Sequence, residues 1–186
     1  MPTTITKNFE GFPFSHIARI LGFPTYELLT ALHLKLNANA VSVHSNLGDG
    51  LLALLFLTIS PAVYNTLSVV PFAPHVNPGA TAIIPFDASG PAATTLRHSH
   101  QLELDLFNEY TNTDKALKQI LLGAVDEIYL RSLRNKYVGY QNHTTRDILD
   151  HLYNTYANIS STDLRNNDKA MKIAYDTNLS IDVLIE

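Results

Sequence analysis

Over much of the second half of the chain, apolar side chains recur three and four positions apart, the spacing that lines one face of an α-helix. This pattern predicts one helix from about Ala93 to Tyr110 and a second from about Thr113 to Leu133. The second carries Leu117, Ile120, Leu121, Ala124, Val125 and Ile128 as a continuous stripe. A third is predicted from about Thr145 to Tyr156, with Ile148, Leu149, Leu152, Tyr153 and Tyr156 inward. A fourth begins at Ser160 or Ser161, where Ser160 and Asp163 have the spacing of an acidic capping box, and reaches about Ala174. Ser180 reads as one more N-cap, and Ile181, Val183, Leu184 and Ile185 open a helix left unfinished, so a longer parent protein is expected.

The first half is less regular. From Met1 to about Thr25, Phe9, Phe12, Phe14 and Phe23 alternate with Pro13 and Pro24 without a helical or strand period. Such an arm either lies along a surface, anchored by its rings, or is a partly disordered terminus. A helix follows from about Tyr26 to Leu36, with Thr25 as N-cap and Leu28, Leu29, Leu32 and Leu36 on its apolar face. His33 sits beside that face and reads as a packed side chain. Ala40 to Ser45 alternates, Gly48-Asp49-Gly50 turns the chain, and Leu51–Thr58 runs apolar. Two extended arms around such a turn predict a β-hairpin, although the Leu-rich second arm also suits a buried helix. The paired glycines lack the lysine and spacing of a phosphate loop. Ser60-Pro61 then caps and opens a short helix through Leu67, with Val63, Tyr64 and Leu67 inward. Between Val70 and Pro91 five prolines and two glycines predict a long loop.

Composition narrows the functional classes. The 186 residues suffice for one ordinary domain, or one and part of a second, and 46% hydrophobic residues can build a core. With 16% charged residues and a net charge of −4, bulk charge does not capture nucleic acid. There is no cysteine, so neither disulfides nor a thiolate metal site can form, which fits a reducing, cytoplasmic setting. No secretory signal is read at the start, and the most apolar stretch, Leu51–Leu57, falls far short of the roughly 20 residues that span a bilayer. No membrane partner is expected.

Candidate chemistry is thin. His98 and His100 are two apart, so on a helix they point about 200° from each other and cannot share a metal. Glu103, Asp105 and Glu109 make a solvated acidic face. Asp147 and His151 could offer two ligands, fewer than a catalytic zinc needs, and no serine sits in a nucleophile elbow. Arg131, Arg134 and Lys136 form a small basic cluster near the expected end of the second long helix. A basic last turn complements the helix dipole, with weak RNA contact as the alternative. No enzyme class, cofactor or metal is expected.

An ordered series of short matches then carries a family resemblance. It includes Lys115-Ala116-Leu117-Lys118-Gln119-Ile120 and Thr144-Thr145-Arg146-Asp147-Ile148-Leu149-Asp150-His151-Leu152-Tyr153-Asn154-Thr155-Tyr156. Ile159 to Leu164, Met171 and Asp176 continue it. Upstream, Pro24-Thr25-Tyr26, Asn39 to Val43, Leu47-Gly48-Asp49-Gly50, Tyr64, Phe72 and Asn77-Pro78-Gly79 extend it over most of the chain. This series resembles the Gag region of copia-type retrotransposons. The resemblance implies a non-enzymatic capsid protein that self-assembles into a shell around the element's RNA. It also implies residues 1–158 as an N-terminal lobe and 159–186 as the opening of a C-terminal lobe. The family's downstream zinc knuckle needs cysteines this chain lacks, so RNA is expected to be held by regions outside it. The expected fold is therefore mostly α, a capsid-like helical bundle with a small N-terminal β-hairpin. Subunit contacts are expected from the Phe-rich arm (Phe9, Phe12, Phe14) and the Pro-rich loop (Phe72, Pro74, Pro78). A host adaptor or scaffold domain derived from Gag, binding a protein partner, is the alternative.

Overall fold

A computed structural model describes residues 11–45, 47 and 50–157. Four α-helices lie wholly within them: α1 (Tyr26–Ser42), α2 (Pro61–Leu67), α3 (Gly90–Ala124) and α4 (Thr145–Tyr156). Short 3-10 turns occupy Leu55–Leu57, Glu127–Tyr129 and Arg131–Leu133. The chain is mostly α, as its periodicity predicts. The helices expected after Ser160 and at Ser180 lie outside the described residues.

The expected hairpin does not form. Ala40–Ser42 completes α1 instead, and residues 51–57 coil through turns into the first 3-10 helix. The reason is visible in the burial. Ala53, Leu54, Leu55, Leu57, Thr58 and Ile59 are all buried, whereas a two-stranded ribbon would cover only alternate side chains. Packing the whole run beneath α1 removes every one of them from water. The Leu54 amide caps the end of α1 by donating to the Ala40 carbonyl at 3.3 Å. Among the described residues the only β-pairing is an isolated bridge between Asn135 and Gly139.

The two long helices expected on either side of Thr111–Asn112 are one helix of 35 residues. Thr and Asn are mediocre helix formers, but neither removes a backbone hydrogen bond, and no Gly or Pro interrupts the stretch. The helix starts earlier than expected, with Ser89 accepting from the Ala92 amide at 3.4 Å and Pro91 in the first turn. It also stops earlier, at Ala124, where Val125 turns extended and Asp126 caps the next 3-10 turn by accepting from Ile128 N at 3.1 Å. Ile128 consequently leaves the predicted stripe and is exposed.

The core is the meeting of α1, the C-terminal third of α3, and α4. Leu29, Leu32 and Leu36 of α1 join Leu117, Ile120, Leu121 and Ala124 of α3 and Ile148, Leu149 and Leu152 of α4 in one buried cluster. Leu28, expected on the same face of α1, is exposed, as are Val63 and Leu67 of α2, where Tyr64 alone is buried. Two polar devices fix the packing. Thr144 and Asp147 form a reciprocal capping box at the start of α4, with Asp147 N donating to Thr144 Oγ1 at 3.1 Å and Thr144 N to Asp147 Oδ2 at 2.8 Å. Burial pushes the Asp147 carboxyl upward, but the hydrogen bonds from Thr144 and the nearby Arg146 and His143 outweigh it and hold the group below its ordinary value. Arg146 donates to the carbonyls of Phe56 and Ile59, each at 3.2 Å, and lies over the Phe56 ring at 4.7 Å. It ties α4 to the coiled segment that replaces the hairpin.

Candidate assembly surface

The rings expected to face other subunits divide into two groups. Phe12 and Phe72 are buried inside this chain. Phe72 stacks on Phe56 at 4.3 Å with rings 7° apart and meets Tyr64 and Tyr110 edge-on or tilted at 5.5 and 6.1 Å. Each ring already has an intramolecular home, which leaves it little surface to offer a neighbour. Phe14 and Pro74 are exposed and Pro78 is partly so, while Phe9 lies outside the described residues.

The described part of the arm is held at definite points. Asn39, fully buried on α1, clamps the backbone of Phe14 with both amide atoms: Oδ1 accepts from Phe14 N at 2.8 Å and Nδ2 donates to Phe14 O at 2.9 Å. Farther on, Ile20 N donates to the Ala124 carbonyl at 2.8 Å, satisfying an orphan acceptor at the end of α3. Phe23 meets Tyr129 and Tyr156 edge-on at 6.1 and 5.8 Å. The arm is therefore an anchored layer on the bundle from residue 12 onward.

Exposed apolar side chains concentrate elsewhere. Between Ala93 and Thr113 no side chain of α3 is buried, so this half of the helix stands clear of the core. It nevertheless carries Leu96 and Leu102 at least one-third exposed. The chain between α2 and α3 lies beside it at one point, where His100 Nε2 is 3.2 Å from the Gly79 carbonyl. That chain presents Val69, Val76, Ile83 and Phe86, all more than 80% exposed. Ile83 and Phe86 were not singled out by sequence reasoning, because a loop has no period that separates an outward ring from an inward one.

The polar candidates resolve into local structure. His98 forms no contact that joins it to His100, and among the described residues no three His, Cys, Asp or Glu side chains gather where a metal could be held. His33 is part-buried, its Nε2 donating to the Thr58 carbonyl at 3.0 Å and its Nδ1 accepting from the Tyr153 hydroxyl at 3.3 Å. Burial pushes its pKa down, only partly offset by the Thr58 carbonyl and Asp150. His151 lies beside Ser132, Nε2 to Oγ 3.2 Å, a pair that invites comparison with a nucleophile and its base. The same Nε2 faces the Tyr129 carbonyl at 3.3 Å, and Nδ1 faces Thr155 Oγ1 at 3.4 Å. A carbonyl can only accept, so Nε2 carries the proton and cannot take one from Ser132. The arrangement staples the 3-10 turns to α4.

Because α3 ends at Ala124, the basic cluster does not sit in its last turn, and the dipole reading of those residues fails. Arg134 pairs instead with Glu127 of the first of the two 3-10 turns, and Lys136 lies 5.5 Å from the Tyr137 ring centroid. Arg131 is exposed. No helix among the described residues is long and apolar enough to cross a membrane. Comparison with protein-family models, with curated proteins and with solved structures finds no match to this chain.

Proposed function

We propose that this chain is a structural, non-enzymatic shell subunit, the Gag capsid protein of a copia-type retroelement, which assembles with copies of itself around the element's RNA. The ordered series of Gag-like segments from Pro24 to Asp176 suggests the family. The observation that carries the assembly reading is the unpartnered apolar surface of the half of α3 outside the core and the preceding chain, above all Ile83 and Phe86. A monomer gains nothing by holding such side chains in water, and a repeated weak contact between many copies would cover them. A mostly helical body with modest net charge suits close approach of like subunits. RNA would be held chiefly by regions of the parent protein beyond this chain.

The test is self-association of the 186-residue chain at rising concentration, with and without single-stranded RNA, followed by sedimentation velocity and electron microscopy. Wild type is expected to form regular oligomers or particles. Ile83→Ser combined with Phe86→Ser is expected to abolish them while leaving the circular dichroism spectrum and melting temperature unchanged. A chain that stays monomeric at its solubility limit with RNA present refutes the reading.

A further inference from the structure

Away from the apolar surface, the C-terminal half of α3 and the turn before α4 enclose a hollow of about 390 Å³. That volume lies at the small end of the range in which proteins hold small ligands. Its walls are Lys115, Lys118, Gln119 and Leu122 from α3, with Tyr140 and Gln141 from the turn. The turn is a tight one: Asn135 and Gly139 exchange two backbone hydrogen bonds of 2.9 and 3.0 Å, and Gly139 takes φ of 60°, a conformation costly for other residues. Closing the chain there delivers Tyr140 against α3.

Three features mark the hollow as unfinished. The Tyr140 hydroxyl is buried and has no hydrogen-bond partner, although a buried phenol ordinarily finds one. Burial and the Glu127 carboxylate push its pKa up, opposed by Arg134 and Arg131, so it remains a protonated donor at neutral pH. Lys118, whose side chain is only 13% exposed, has its ammonium 3.7 Å from Asp114 Oδ2, beyond hydrogen-bonding distance. Asp114 cannot simply close that gap, because its other oxygen accepts from Thr145 N at 3.0 Å and its carbonyl from Thr145 Oγ1 at 3.0 Å. Lys115 has no carboxylate partner among the described residues. Two ammonium groups, an orphan hydroxyl donor and two side-chain amides thus converge with one carboxylate near them.

We propose that this hollow binds a terminal phosphate group, as carried by a nucleoside monophosphate or another small phosphomonoester. Such a group holds close to two negative charges and three acceptor oxygens at neutral pH, which matches Lys115, Lys118 and the Tyr140 hydroxyl one for one. Its charge exceeds that of Asp114, so Lys118 bridges the two. Gln119 and Gln141 are placed to read hydroxyls on the attached group. An internal phosphodiester fits less well, with one charge, two free oxygens and a chain leaving on both sides of a donor set this recessed. Reaching the hydroxyl requires the long unbranched side chains at the rim to turn aside. Arg134 is not part of the set, since it lies across Tyr140 in a neighbouring hollow and is paired with Glu127.

The test is calorimetric titration of the whole 186-residue chain with inorganic phosphate, with adenosine 5′-monophosphate, and with a short single-stranded RNA lacking a terminal phosphate. Adenosine 5′-monophosphate is expected to saturate one site per chain, with inorganic phosphate weaker and the RNA unable to compete. Lys118→Gln is expected to weaken binding by about tenfold or more, the worth of one charge-assisted hydrogen bond. Tyr140→Phe, which removes only an unpartnered hydroxyl and leaves folding unharmed, is expected to weaken it several-fold. Absence of saturable binding at low-millimolar adenosine 5′-monophosphate overturns the proposal. So does binding that Tyr140→Phe and Lys118→Gln leave unchanged, or RNA without a terminal phosphate competing as well as the monophosphate.

Discussion

Asn39→Ala should release the N-terminal arm. Both amide atoms of this fully buried side chain are committed to the Phe14 backbone, at 2.8 and 2.9 Å. Truncation removes two hydrogen bonds, each worth about 1 kcal/mol net, and strands a donor and an acceptor that cost about 1–3 kcal/mol apiece where water cannot reach them. Phe14 itself is 39% exposed, so water recovers part of that cost, and a total of about 2–3 kcal/mol follows. For a chain of this size the melting temperature should fall by about 5–10 °C. Asn39→Asp provides a sharper check, because it keeps the shape and the acceptor but loses the donor. At neutral pH the new carboxylate faces the Phe14 carbonyl, buried and without a counter-ion. Its folded-state pKa is therefore raised above the unfolded value of about 3.9. Stability lost relative to wild type should be greatest at neutral pH and shrink as pH falls through that raised value, since the protonated acid can again donate. Melting followed by circular dichroism at several pH values, with limited proteolysis of residues 11–25, measures both effects. Equal melting temperatures for wild type and Asn39→Ala, with unchanged cleavage of the arm, would refute the clamp.

Two further outcomes follow from the core. Leu121→Ala, at a fully buried position on α3, should cost about 2–5 kcal/mol in urea unfolding, while Ile128→Ala, now outside the stripe, should stay within about 1 kcal/mol. His33 is held neutral between Thr58 and Tyr153, so its folded-state pKa lies below the unfolded value of about 6.5. The stability this gives is present above that value and declines as pH falls below it. His33→Gln should flatten that part of the pH–stability curve, and an unchanged acid limb would show that another group titrates there.

What could be read from the sequence was whatever local chemistry decides. The Ser60-Pro61 start of α2 and the bounds of α4 hold because a cap, a fixed proline φ and a strong 3.6-residue period all act within a few residues. The hairpin failed because a six-residue alternation such as Ala40 to Ser45 fits a strand and a helix end equally well. Only the distant demand for a cover over α1 decided between them. The split of α3 failed because Thr111 and Asn112 lower helix propensity by tenths of a kcal/mol, too little to end a helix that packing supports. Phe12 and Phe72 looked like surface rings for want of a period around them, and only the fold shows that Asn39 and Phe56 lie close enough to hold their segments. Tyr140, likewise, is an unremarkable tyrosine until its hydroxyl is seen to lack a partner.

The length of α3 has a mechanical meaning. From Gly90 to Tyr110 the helix spans about 30 Å at 1.5 Å per residue, and its foot is gripped by the packing of Thr113 through Ala124. A rod fixed at one end multiplies any rotation of its base by its own length. A tilt of about 10° at the foot carries the tip through about 5 Å, comparable to a full turn of helix. Small repacking around Leu117 and Leu121, of the order a single core methyl group can produce, is therefore read out at the far end as a displacement large enough to change which surfaces meet.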